Sequence, residues 1–554
     1  MLSRSASHAA GLTRVHRAAA LLTLAMMLMI SVAVAPAVRA EQASTLDELQ
    51  PVVSSAGFTH PGVFNSLENL ASTKKRIAAG DSPWAESFKQ LTSSPYAKRN
   101  APDFTSFGSA SASDPTAKKC GTQDRSGCVS VCGSFNENPG VGCADQQADG
   151  RAVYAQALAY FYTGDERYAQ RAVAILNAYS ARFKGSRGSN GPLMTAWTAG
   201  QMVRGAELIR YSYKPTSKKH EFDAKAFGTM LRKVFVPTLT TFDYGRANGN
   251  WKLSAAEGLI GIAVFLDDRQ LYDRALEMWR ERVEAYVYLS TDGELPTAPV
   301  SDAGLYRTPT ALRCQWLDGK AKDCQTDPPT DPGVRFQNGQ VQESCRDFGH
   351  AAMGLGGIIN TAETAWIQGD DLYAEQQARI TTGVLYAVQV SLNHKTRGWP
   401  ASFCGGTDDL DPSLSLVELP VHAVYNAYTV RKGVQMPAIS IPGYPAPKRG
   451  SNPVADFIAA KGAARGYAGN VTAWDAVTHD LATPPAASPT TMPAPDQRNA
   501  DDPSPNADGT PVMTMDVATS AFAIVGVIAT IVVLVWIGWR LVRRRRRRAD
   551  SASR

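Results

Sequence analysis

Residues 151–183 read RAVYAQALAYFYTGDERYAQRAVAILNAYSARF. Apolar side chains recur at helical spacing through Ala152, Ala155, Leu158, Ala159 and Tyr162, stop at Thr163-Gly164-Asp165, and resume through Tyr168, Ala172, Ile175, Leu176 and Tyr179. Two such runs around a short polar break predict a helical hairpin. A related break recurs at Leu266-Asp267-Asp268, ahead of Leu271-Tyr272, and again at Gly369-Asp370-Asp371, ahead of Leu372-Tyr373. Tyr168, Tyr272 and Tyr373 are spaced by 104 and 101 residues, which leaves room for a further hairpin in each interval. A hairpin cannot bury its apolar face alone, so repeated units must stack on their neighbours. The expected fold class is all-α, an (α/α) toroid or incomplete barrel of helical hairpins. The three tyrosines after the breaks are read as packing residues, not as catalytic ones.

Working outward, the 554 residues are 44% hydrophobic and 19% charged, which excludes a disordered chain, a collagen-like chain and a small disulfide-stapled miniprotein. The formal charge of +6 belongs to the ends. Setting aside the 12 basic residues and one acid of residues 1–40 and 540–554 leaves 45 Lys and Arg against 50 Asp and Glu, a net of −5. An Arg-bearing start, an apolar stretch from Ala18 to Ala35 and small residues at Val38 and Ala40 predict a signal peptide over 1–40; an uncleaved anchor helix is the alternative. Residues 517–539 carry no charge and are long enough to span a bilayer. The arginine cluster that follows marks 540–554 as a cytoplasmic tail. Residues 476–516, rich in Pro, Ala, Asp, Ser and Thr, read as a linker. The globular body is therefore assigned to 41–475, on the outside of a single-pass cell-membrane protein. A basic run directly after a span is a topology signal, so no nucleic-acid partner is expected.

All eight cysteines lie in the body, in one group (Cys120, Cys128, Cys132, Cys143) and a second (Cys314, Cys324, Cys345, Cys404). An even count in an exported domain predicts up to four disulfides, and pairing within each group leaves three connectivities apiece. No histidine accompanies Cys128 and Cys132, and the familiar phosphate, nucleophile-elbow, zinc-helix and calcium-loop motifs are absent, so no metal or cofactor is expected.

Two segments carry candidate chemistry. Asn248-Gly249-Asn250-Trp251-Lys252 opens an apolar helical run, where asparagines are also common caps. Glu343-Ser344-Cys345-Arg346-Asp347-Phe348-Gly349-His350 is the other; as one helix it puts Arg346 and His350 on one face and points Asp347 elsewhere. Gly354, Gly356 and Gly357 follow, and three glycines weaken a helix unless something approaches its backbone closely.

The order of His60-Pro61-Gly62-Val63, Thr163-Gly164-Asp165, Asn250-Trp251, Arg346-Asp347-Phe348-Gly349-His350, Gln368-Gly369-Asp370-Asp371-Leu372-Tyr373 and His422-Ala423-Val424-Tyr425-Asn426-Ala427-Tyr428 resembles the alginate lyase family of polysaccharide lyases over about residues 58 to 440. The resemblance implies an (α/α) toroid that cleaves an anionic uronate polymer, such as alginate or glucuronan, by β-elimination. That reaction needs a donor to neutralise the uronate carboxylate, a base for the C5 proton and an acid for the departing O4. Asn250 and Arg346 suit the first role and His350 the second or the first. Tyr425 is the first choice for the acid, with Tyr244, Tyr306 and Tyr428 open. Trp251, Asn190, Gln201 and His422 are candidate substrate-binding residues.

The chain departs from polymannuronate-cleaving members in having Gly249-Asn250-Trp251 where they carry Asn-Asn-His, and Met353 where they carry a tyrosine after the arginine. Two rival readings follow. One is a glycoside hydrolase using paired carboxylates from Asp149, Glu257, Glu343 and Asp347; the other is a non-catalytic carbohydrate-binding surface protein. Because the body is mildly acidic, attraction to a polyanion must come from a local groove around residues such as Arg346.

Overall fold

The computed structural model describes residues 46 and 48–479, except 134–139, 300–305, 307, 407–409, 412–413, 449 and 462–468. The signal peptide, most of the linker, the proposed span at 517–539 and the tail lie outside the described residues. Among the described residues no helix is long and apolar enough to cross a membrane.

The chain is mainly helical. A short antiparallel pair, β1 (Val52–Val53) and β2 (Thr59–His60), leads into α1 (Leu67–Ala79) and α2 (Trp84–Ser93). A three-stranded sheet of β3 (Gly108–Ser109), β4 (Cys128–Val131) and β5 (Phe183–Arg187) flanks the next hairpin. That hairpin is α3 (Cys143–Thr163) and α4 (Glu166–Arg182), joined at the expected turn, where the Asp165 carboxylate accepts the Arg167 N–H as a helix cap. Then come α5 (Gly191–Ser212), α6 (Gly249–Leu266) and α7 (Arg269–Glu284), the short α8 (Pro309–Trp316), α9 (Phe348–Ile367), α10 (Gln377–Arg397) and α11 (Val421–Tyr425).

Helices α3, α5, α6 and α9 pack in succession as an inner layer. They run parallel, because contacts advance together along each pair: Gly150 with Thr198 and Val153 with Gly205, Ala199 with Gly258 and Val203 with Gly261, and Leu253 with Gly357 and Glu257 with Asn360. Their sequences explain the layer: α6 and α9 are apolar and small-residue-rich all round, as a helix surrounded by others requires. The helices α4 and α7 are one-sided, burying Ala172, Ile175, Leu176 and Tyr179 or Leu271, Tyr272, Ala275 and Trp279 against that layer. Tyr272 and Tyr373 are fully buried, and their hydroxyls donate to Asp370 and Glu363, which agrees with the packing role read for them.

One boundary moves. The linker was expected from 476, yet Ala476, Val477, Thr478 and His479 are buried, and Tyr162 and Trp84 donate to the Val477 and His479 carbonyls. The segment 469–479 carries Val471, Trp474 and Val477, enough apolar surface to hold it in the core.

Candidate active site

The four inner helices start at one end of the molecule, and the two candidate segments meet there. Asn248 stands in N-cap conformation without a side-chain cap bond; its Oδ1 instead accepts from Gln315 Nε2 of α8. Asn250, in the first turn of α6, is fully buried, and neither amide atom has a hydrogen-bond partner among the described residues. One turn on, the buried Ser254 hydroxyl is likewise unpartnered. An unmet buried amide is costly, so the start of α6 holds hydrogen-bonding capacity that the described residues leave unused.

The second segment corrects the reading of Asp347. Helix α9 begins at Phe348, and Asp347 is its extended N-cap residue, so its carboxylate can reach the free backbone N–H three residues on. Its Oδ1 accepts the His350 backbone N–H at 2.7 Å, and its Oδ2 lies 2.6 Å from His350 Nδ1. Burial opposes ionisation of Asp347, but the hydrogen bonds of His350 and the charges of His350 and Arg346 prevail and hold its carboxyl below the ordinary range. Arg346 lies just before the helix, with Nη1 3.5 Å from Glu343 Oε1, and it and His350 are 37% and 26% exposed, the open part of the site.

Glu343 is the hub of this cluster. It is buried, and burial raises its pKa although His350, Arg346, the Tyr286 hydroxyl and the Asn250 backbone N–H all favour its charged form. Tyr286, two residues beyond α7, donates towards Glu343 Oε2 at 3.2 Å and towards the His350 carbonyl at 3.2 Å, so it ties Glu343 to the first turn of α9. Its ring also accounts for a glycine: a Cβ on Gly354 would sit about 2.1 Å from it. Gly357 is needed for the Leu253 backbone, and Gly356 for the Glu418 carbonyl. Tyr286 was not singled out from sequence, and Glu343 was named only as a carboxylate available for hydrolysis, because their contacts span long separations; the three-glycine anomaly was the available signal.

The remaining expected residues lie elsewhere. Asn190 is the N-cap of α5, and its Nδ2 donates to the Gly133 carbonyl, anchoring a disulfide-bearing loop. Gln201 lies deep on α5, its Nε2 near the Asn470 and Val471 carbonyls. His422 is buried at the start of α11, where its backbone N–H donates to Asp475. The segment 469–479 thus packs over both Gln201 and His422. Trp251 stacks on Phe242, at 5.5 Å between ring centres, and one of its faces is filled by the protein. Tyr425 packs half-buried, and burial alone raises its pKa, with no contribution from the Arg346 and His350 charges. Tyr244 and Tyr428 donate to the Leu239 and Tyr373 carbonyls, as structural tyrosines do. Tyr306 is different: its hydroxyl accepts from Gln342 Nε2 at 2.6 Å, and Gln342 Oε1 accepts the Gly249 N–H, next to Asn250.

The carboxylates proposed for hydrolysis are also engaged. Asp149 bonds Arg99 and Tyr179, and Glu257 is sealed inside with Arg204, pushed up to about 7 by burial. The four disulfides pair within the two groups: Cys120–Cys128, Cys132–Cys143, Cys314–Cys324 and Cys345–Cys404. Among the described residues no group of three or more His, Cys, Asp and Glu is placed to hold a metal ion.

The alginate lyase family model matches residues 90–298, a stretch that contains the first two hairpins and Asn250 and ends before Arg346. The family resemblance read from sequence is thereby borne out over residues 90–298. The crystal structure of an alginate lyase from Bacteroides ovatus aligns with 66% of this chain and 92% of its own, at 15% identity and a TM-score of 0.38. No curated protein matches.

Proposed function

We propose that this polysaccharide lyase, of the alginate lyase family, cleaves a uronate polymer such as alginate or a glucuronan at the N-terminal ends of α6 and α9. The observation that carries this reading is the convergence of a buried, unpartnered Asn250 amide, an open Arg346 and an open His350 around Glu343. Arg346 and the Asn250 amide take the substrate carboxylate, which makes the C5 proton acidic and stabilises the enolate-like charge that follows. His350 removes that proton, the C4–O4 bond breaks as the C4–C5 double bond forms, and an acid protonates O4. Of the tyrosines considered, Tyr306 is the one hydrogen-bonded into this region, and we assign it the acid role in place of Tyr425. Because Asn250 is buried, substrate contact with its amide requires the start of α6, where Gln315 of α8 bonds Asn248, to open.

We read the stacked hairpins as an incomplete (α/α) toroid whose axis is filled by 469–479. The charge pattern of the two ends of the chain supports export and a single-pass membrane tether. The test is to incubate the full-length protein with a panel of uronate polymers. The expected result is the ultraviolet absorbance of an unsaturated uronide, abolished in Arg346→Ala. New reducing ends without that absorbance would mean hydrolysis, and tight polymer binding without turnover would mean a lectin.

A further inference from the structure

We infer that Asp347 is a positioning residue that fixes which nitrogen of His350 carries the proton, so that Nε2 keeps its lone pair available. The inference rests on the proposed role of His350 but is argued from the cap geometry. Asp347 uses both oxygens on one residue three positions ahead: Oδ1 on the His350 N–H and Oδ2 on Nδ1, at 2.7 and 2.6 Å. Because its environment keeps Asp347 ionised, both oxygens are acceptors only. Nδ1 must then be the donor, and a neutral ring carries its single proton there. Nε2 makes no hydrogen bond among the described residues, and a quarter of the side chain is exposed. A ring held this way can accept a proton from outside without first exchanging one. The charged and titratable groups around it are Arg346, Asp347, Glu343 and the Tyr286 hydroxyl and, from the turn after α8, Asp318, with Lys320 donating to the Arg346 carbonyl.

Asp347→Asn separates this role from the cap. Asparagine caps a helix as well as aspartate does, so the fold is retained. With its Oδ1 still on the His350 N–H, the amide nitrogen faces Nδ1 and donates to it, which moves the ring proton to Nε2. The experiment labels the histidines of the full-length protein with 15N, assigns His350 by its loss in His350→Gln, and reads the tautomer at a pH where the ring is neutral. An Nδ1–H ring in the wild type and an Nε2–H ring in Asp347→Asn are expected. On a cleaved uronate polymer, kcat falls about 100-fold or more while KM and the melting temperature stay near wild type. An Nε2–H ring in the wild type, an unchanged ring in the variant, or full kcat with a switched ring overturns the inference. An Nδ1–H ring that switches in the variant, in a protein that cleaves no uronate polymer, supports the positioning role of Asp347 and removes the lyase reading instead.

Discussion

Two histidine and carboxylate clusters lie at opposite ends of the inner helices. His350 and Glu363 on α9 are 13 residues apart, about 20 Å along the axis. At the far end His60 is fully buried, with Nδ1 2.9 Å from Glu207, Nε2 3.2 Å from Asp267 and its ring stacked on Tyr211. Beside it Arg431 grips Glu363 through two bonds of 2.7 Å, with His479 behind, and these partners hold Glu363 down to about 2 against the burial that opposes them. At the near end His350 spends one nitrogen on Asp347, Arg346 is open, and Asn250 is unpartnered. The cross-links differ as well. Cys345–Cys404 ties the loop before α9, closing a loop of about 60 residues that constrains the unfolded chain by about 4 kcal/mol. A histidine beside a carboxylate is structural when both nitrogens are engaged and the ring is sealed, and available for chemistry when one nitrogen is left without a partner and the ring is part-exposed.

The largest effect that would sharpen this contrast is in His350→Ala. Turnover of a uronate polymer should fall about 10³-fold or more, some 4 kcal/mol in the barrier, with a melting temperature close to wild type. A collapse of the fold in that variant would erase the distinction between the ends. Arg431→Met should do the reverse: it leaves a buried Glu363 without its main partner, costs about 3–5 kcal/mol in urea unfolding, and spares the specific activity of the folded fraction. Asn250→Ala should lower kcat about 100-fold, close to 3 kcal/mol, yet change stability by less than about 1 kcal/mol, because the amide removed has no partner to lose. A large stability loss there would show the residue to be a packing element.

The smallest effect is a pH dependence. Burial works against a charged His60, but Glu207 and Asp267 outweigh it and raise its pKa. The stabilisation from the charged ring is fully present below the unfolded value near 6.5 and is lost as pH rises through the higher folded one. Wild type should therefore lose unfolding free energy between pH 6 and alkaline pH, relative to His60→Gln measured in the same buffers. Equal slopes for the two proteins would remove the buried ion cluster from the account.

Much of the fold was legible because its signals are local. The run from Arg151 to Phe183, with its polar break, declares a helical hairpin in any context, and the recurrent turns at Asp267-Asp268 and Asp370-Asp371 repeat it. Arg346, His350 and Asn250 were legible as residue types suited to a carboxylate. Asp347 was misread because a helix was assumed to include it, whereas the helix starts one residue later and the cap position turns its carboxylate onto His350. Gln201 and His422 were read as substrate-binding residues, but the segment 469–479 covers both.

The sequence by itself determined the helical hairpins, the cysteine groups and the basic ends, since periodicity, parity and charge need no partner to be read. Only the tertiary structure decided which histidine is sealed and which is open, which glycines make room for Tyr286 and Leu253, and that Glu343 joins two segments about 90 residues apart. Those facts depend on groups brought together across the chain, where burial and hydrogen-bond geometry, not residue type, set the chemistry.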